Sequence, residues 1–121
     1  MRALIADDDK SFAMTLSELV TSSGHEVVGV VFSGLDAIRA YKRHQPGVVL
    51  MDYKMERLNG LTACRNILSN DPSGRIVFLS GVADGEHFGR DTTGAVGFLQ
   101  KPVKIAQLEA LFATLESQHE K

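Results

Sequence analysis

Three consecutive carboxylates, Asp7, Asp8 and Asp9, follow the short apolar run Ala3 to Ala6, and a fourth, Asp52, ends the longer run Val48-Val49-Leu50-Met51. Ser80 closes the stretch that begins at Arg75, and Lys101 follows the stretch Ala95 to Gln100. Polar residues often follow strands as turn formers, which accounts for any one of these positions but poorly for the set. Two like charges about 4 Å apart at an effective dielectric near 20 repel by roughly 4 kcal/mol, so the acidic cluster calls for water, a cation or a lysine. One of the three aspartates can cap the next helix, which leaves two that need another reason.

Hard oxygen donors suit magnesium, which keeps several waters and takes only one or two carboxylates plus phosphate oxygens. Three carboxylates with one hydroxyl and one lysine therefore point to phosphoryl transfer, a reaction that needs positioning and charge stabilisation more than acid or base. Asp52 is the candidate nucleophile. With an ordinary pKa of about 3.9 it is ionised at neutral pH without help from a base. In this reading Asp8 and Asp52 bind the ion directly and Asp7 acts through water, while Lys101 pairs with one phosphoryl oxygen and Ser80 hydrogen-bonds another.

Groups so far apart in sequence meet only if the fold gathers them. Val48 to Asp52, with Pro46-Gly47 in front and Asn59-Gly60 behind, reads as a strand buried on both faces. Ala3 to Ala6, Glu26 to Phe32, Arg75 to Ser80 and Ala95 to Gln100 read as four more strands. Helices fall between and after them: Phe12, Leu16, Leu19 and Val20 recur at helical spacing up to Gly24. Ser33 caps a helix with apolar Leu35, Ile38, Ala40 and Tyr41, and Leu61, Cys64, Ile67 and Leu68 mark another. The segment Gly81 to Gly94 reads as a short or frayed helix, since Gly85 and Gly89 each cost it about 1 kcal/mol relative to alanine. Ile105, Leu108, Leu111, Phe112 and Leu115 carry the last helix, with Ala106, Ala110 and Ala113 on a second side.

This alternation predicts a single α/β domain over residues 1–121, a doubly wound, five-stranded parallel sheet with helices on both faces. All carboxyl ends of the strands then face one rim, where ligands of such sheets collect. Asp7, Asp8, Asp52, Ser80 and Lys101 all fall on that rim.

Composition narrows the functions. The 121 residues are 44% hydrophobic and 23% charged, which fits a globular chain, and the net charge of -2 offers no field for nucleic acid or an anionic membrane. Met1 is followed almost at once by a strand pattern and no apolar run is of membrane-spanning length, so the expected address is the cytoplasm. The basic cluster Arg39, Lys42, Arg43 and His44 reads as a solvated helix face. Cys64 lies on an apolar stripe and reads as a buried small hydrophobe. His25, His44, His87 and His119 show no metal-ligand spacing and read as surface residues.

The motifs Ile5-Ala6-Asp7-Asp8-Asp9, Met51-Asp52-Tyr53-Lys54-Met55 with Asn59-Gly60, Leu79-Ser80-Gly81 and Lys101-Pro102 resemble, over the whole chain, the receiver domain of two-component response regulators. The resemblance implies the flavodoxin-like strand order 2-1-3-4-5. It implies Asp52 as phosphoacceptor, Asp7 and Asp8 as the acidic pair for Mg2+, and the backbone carbonyl of Lys54 as a further metal ligand. Ser80 becomes the switch hydroxyl, Lys101 the phosphate-pairing lysine and Phe98 the aromatic that changes rotamer, with a cis bond between Lys101 and Pro102. Such a domain is not an enzyme but a phosphoacceptor that assists its own phosphorylation and dephosphorylation with Mg2+. Its phosphoryl group comes from a histidine kinase or a histidine phosphotransfer protein, and it switches partner binding or dimerisation.

The implied docking or dimer face consists of the glycine-rich helix, the fifth strand and the last helix, with no direct binding to nucleic acid or membrane. The chain departs from the family pattern at Glu56, where proline is usual, and in the glycine-rich helix, while Lys54 and Val82 stand at positions that vary within it. A receiver-like interaction module that no longer depends on phosphorylation is the alternative. A phosphatase with an aspartyl intermediate is disfavoured because Lys54 stands where a second acid is needed. A flavin module is disfavoured because Asp7 to Asp9 would repel its phosphate.

Overall fold

The computed structural model describes residues 1–55, 58–81 and 94–119. Glu56, Val82, Gly85, His87 and Gly89, and with them the helix expected between Gly81 and Gly94, lie outside the described residues. Strands β1 (Arg2–Ala6), β2 (Glu26–Val31), β3 (Val48–Asp52), β4 (Ile76–Ser80) and β5 (Gly97–Gln100) form one parallel sheet in the order β2-β1-β3-β4-β5. Helices α1 (Lys10–Ser22), α2 (Gly34–His44) and α3 (Gly60–Asn70) follow β1, β2 and β3, and α4 (Ile105–His119) follows β5. The expected architecture and strand order are both present.

Every residue of β3 and β4 is buried, as their uninterrupted apolar sequences require of strands covered on both sides. Alternate residues feed two cores. Ala3, Ile5, Val48, Leu50, Val77 and Leu79 face Ala13, Leu16 and Val20 of α1 and Leu108, Phe112 and Leu115 of α4. Leu4, Ala6, Val49, Met51, Ile76 and Phe78 face Ala37 and Tyr41 of α2 and Ala63, Cys64 and Ile67 of α3. At about 25 cal/mol per Å2 of apolar area, each of these large side chains contributes roughly 1.5–3 kcal/mol.

The helix starts are capped as their sequences suggest. Asp9 accepts the backbone N–H of Phe12, Ser33 that of Asp36 and Asn59 that of Thr62, so Asn59 is a cap and Gly60 already helical.

Of the apolar helix positions, Leu35 and Ile105 are 48% and 44% exposed, because close helix-to-sheet packing selects the small Ala37 on α2 and begins at Leu108 on α4. One expectation needs correction: His25 is not a surface residue. Its ring stacks on Phe112 with centroids 4.1 Å apart, and its side chain is only 12% exposed, with Nε2 3.8 Å from Glu116.

Candidate functional site

The ladder of backbone hydrogen bonds runs one step past the strand ends and so fixes the rim. Asp7 N–H donates to Val31 O at 3.0 Å, Tyr53 N–H to Leu79 O at 3.0 Å, and Lys101 N–H to Ser80 O at 2.8 Å. Because Ala6 pairs with Met51, the next residues, Asp7 and Asp52, lie side by side at the rim. Asp52 is in register with Leu79 and Ser80 with Gln100, which sets Ser80 and Lys101 on the adjoining edge of the same pocket. The Lys101–Pro102 bond is cis.

Asp7, Asp8 and Asp52 each offer a carboxylate oxygen within 4.8 Å of the other two. Asp7 is fully buried, Asp52 nearly so, and Asp8 is exposed at the mouth. Asp7 Oδ1 accepts the backbone N–H of Asp9 at 2.9 Å. Lys101 Nζ stands 2.8 Å from Asp7 Oδ2 and 3.6 Å from Asp52 Oδ1. The nearer contact is an ion pair outside hydrogen-bond geometry, so among the described residues Asp7 Oδ2 is a buried oxygen without a hydrogen bond. A buried anionic oxygen of this kind, with two more carboxylates beside it, fits a hard cation.

The charges tune one another. Burial pushes the Asp52 carboxyl up to about 6, and the charge of Asp7 adds to this. The Lys101 ammonium opposes it, Asp8 raises it further, and a backbone hydrogen bond from Lys54 lowers it. Burial alone would lower the Lys101 pKa, but contacts with Asp7 and Asp52 outweigh it and hold the ammonium above its ordinary value. The lysine is charged at any physiological pH.

The sequence matches the response regulator receiver domain over residues 3–113. This chain belongs to that family. It is a receiver domain of two-component response regulators, and it is 33% identical to the chemotaxis protein CheY of Thermotoga maritima over 112 residues, which cover 91% of this chain and 93% of that protein. It is likewise 33% identical to CheY of Bacillus subtilis over 116 residues, 94% of this chain and 97% of that protein. Among solved structures it is similar to that of the CheX-CheY-BeF3-Mg2+ complex from Borrelia burgdorferi, with 26% identity, a TM-score of 0.87, and coverage of 95% of this chain and 88% of that one.

Within the receiver, the structure brings together Asp7, Asp8, Asp52 and Lys101, and Ser80 is buried at the same rim, at the end of the neighbouring strand β4. Lys54 adjoins Asp52 through its backbone. Asp9 serves as the cap of α1 instead. Family membership with this acidic cluster intact does not favour the phosphorylation-independent module.

Two contributors were not evident in the sequence. A Cβ on Gly60 would collide with the carbonyl oxygen of Asp52, so only glycine lets α3 start against the loop that follows β3. The Phe12 ring lies under Lys101 Nζ, 4.4 Å from its centroid. The Asn59-Gly60 turn signal hinted at the first, whereas Phe12 looked like one more apolar helix residue.

Proposed function

We propose that residues 1–121 act as one receiver domain in which a carboxylate oxygen of Asp52 accepts a phosphoryl group from a phosphohistidine of a sensor kinase or phosphotransfer protein. A P–N bond breaks, a P–O bond to Asp52 forms, and the released imidazole keeps the electron pair. The reading is carried by one observation, the three carboxylates within 4.8 Å of one another with Lys101 bridging the two buried ones.

Asp7, Asp8 and Asp52, with the backbone carbonyl of Lys54, would hold Mg2+. When bound, the ion would neutralise the acidic pocket and draw in an anionic donor. The magnesium named with the Borrelia CheY complex supports this choice of ion. Lys101 carries a permanent charge at the point where phosphoryl oxygens arrive, and its contact with Asp52 lets it follow the new charge outward. The Ser80 hydroxyl donates to a second oxygen. These new contacts bias the loops. Moving a 1:99 population to 99:1 takes about 5.5 kcal/mol of differential interaction, the scale of a few charge-assisted hydrogen bonds.

Output runs through partner docking or a homodimer at the β5–α4 side, where Phe98 is 48% and Ile105 44% exposed. Phe98 lacks a hydroxyl, so its rotamer change rests on packing alone. No helix among the described residues is long and apolar enough to cross a membrane, and the net charge of -2 gives no nucleic-acid footprint, which fits signalling in the cytoplasm.

The test is intact mass after incubation with Mg2+ and a small phosphoryl donor. The wild type gains one phosphoryl group and Asp52→Asn gains none; an equal gain in both, or none in either, sinks the assignment.

A further inference from the structure

Lys101 is held on three sides. Its ammonium meets Asp7 at 2.8 Å and Asp52 at 3.6 Å, and it sits over the ring of Phe12, 4.4 Å from the centroid. The ring is itself fixed. Phe12 lies in the first turn of α1, where its backbone N–H is the one that caps onto Asp9 Oδ1 at 3.1 Å. Phe12 also lines a largely apolar groove with Leu16, Leu19, Pro102 and Val103, so it borders the same groove as the segment that carries the lysine. We propose that Phe12 is the positioning residue of Lys101, its ring face keeping the ammonium between Asp7 and Asp52 while phosphoryl transfer takes place. The proposal rests on Asp52 being the phosphoacceptor.

The physical case turns on what an aromatic face offers a lysine that an aliphatic wall does not. A lysine side chain has four rotatable carbons and a compact, strongly hydrated head, so it wanders unless it is restrained. The lysine side chain here is 25% exposed, and a partly desolvated ammonium is attracted to the negative face of a ring more strongly than an open one. The ring face is only a weak acceptor, so it competes little with oxygens for the ammonium's donors. That attraction is also weakly directional. The ammonium can slide outward as negative charge moves from the Asp52 carboxylate to a phosphoryl group, without first breaking a hydrogen bond. The third aspartate of the Asp7-Asp8-Asp9 run thereby gains a reason: by capping α1 it sets the ring at the height of Lys101.

Phe12→Leu keeps an apolar side chain in the groove and removes the ring face, whereas Phe12→Tyr keeps the face. The initial rate of Asp52 phosphorylation by a small phosphoryl donor with Mg2+ should fall about threefold to tenfold in Phe12→Leu and stay within about twofold of wild type in Phe12→Tyr. A second readout needs neither donor nor metal. The Lys101 side-chain methylene protons should resonate upfield in the wild type and in Phe12→Tyr, shielded by the ring, and return to ordinary lysine positions in Phe12→Leu. Wild-type rates in Phe12→Leu, equal slowing in both variants, or unshielded Lys101 protons in the wild type would each overturn the proposal. If the wild type gains no phosphoryl group at Asp52, it is the phosphoacceptor reading that fails, and the Lys101 resonances still decide the contact.

Discussion

The backbone of Gly60, the first residue of α3, presses against the carbonyl oxygen of Asp52, the last residue of β3, more closely than any β-carbon could stand. Its N–H also donates to Tyr53 O at 2.8 Å, so the loop after Asp52 closes on itself through this one residue. Nothing flexible lies in the way of an added methyl: the obstacle is backbone, which must move. Gly60→Ala should therefore displace Asp52 from Lys101 and lower stability by about 1–3 kcal/mol, the usual cost of overpacking. Denaturant melts read the stability loss, and phosphorylation followed by intact mass should slow at least about tenfold, since an ångström of misplacement can cost a hundredfold in rate. Unchanged phosphorylation in a folded Gly60→Ala protein would show that the contact does not hold the acceptor in place.

Asp52 weakens the metal-free fold at neutral pH. Its carboxyl is pushed up to about 6, by burial first and then by Asp7, from an unfolded value of about 3.8. A raised folded pKa means that the native state binds the proton more tightly, so this stabilising contribution is complete below about pH 4 and is lost as pH rises through 6. Above that, an ionised Asp52 sits in the pocket against Asp7 with only Lys101 between them. Asp52→Asn should thus stabilise the metal-free protein by about 1–2 kcal/mol at pH 7.5, allowing for solvent at the pocket mouth, and have little effect at pH 4. Urea melts at the two pH values measure the difference, and a gain larger at pH 4 than at pH 7.5 would contradict the sign.

At the other end of the sheet, the Tyr41 hydroxyl donates to Asp71 Oδ2 at 2.7 Å and ties α2 to the loop before β4. Burial, helped by the hydrogen bond and charge of Asp71, pushes the Tyr41 pKa up to about 12. The Asp71 pKa is held below its ordinary value by hydrogen bonds from Ser73 and Tyr41. The two shifts bracket a window. Asp71 contributes above the unfolded carboxyl pKa of about 3.9 and fades as acid protonates it, while Tyr41 contributes below about 10 and fades as pH rises toward its folded value. Tyr41→Phe should accordingly lower the melting temperature most between about pH 5 and 9, and less at either extreme, while Asp52 phosphorylation keeps its rate. A loss that is flat across pH would mean that the pair does not titrate as a unit.

These features were unequally legible in the sequence, for physical reasons. The strands were plain because burial on both faces leaves uninterrupted apolar runs, and the rim residues were plain because each follows such a run directly. Helix faces were harder: Ala13, Ala37 and Ala63 join Leu16, Val20, Tyr41 and Ile67 on the inner stripes while the large Leu35 is exposed, since the points nearest the sheet leave room only for small side chains. His25 looked like an isolated polar residue because its partner, Phe112, lies on the last helix. Gly60 against Asp52 and Phe12 against Lys101 are likewise contacts between segments brought together only by the sheet, and neither residue type announces its neighbour.

Cys64 offers a way to time the opening of this fold. It sits on the buried face of α3 with no exposed surface, and burial pushes its thiol up to about 11 against a smaller opposing pull from Arg65. At pH 8 the native thiolate fraction is then on the order of one in a thousand, and the reagent cannot reach it in any case. Modification by a disulfide reagent must therefore wait for unfolding, and its rate should follow the population of open chains. On that basis Gly60→Ala should react faster than wild type and metal-free Asp52→Asn more slowly at pH 7.5, in the order set by the melts. Rapid labelling of the native protein, indifferent to both substitutions, would mean that α3 opens locally and independently of the acceptor pocket.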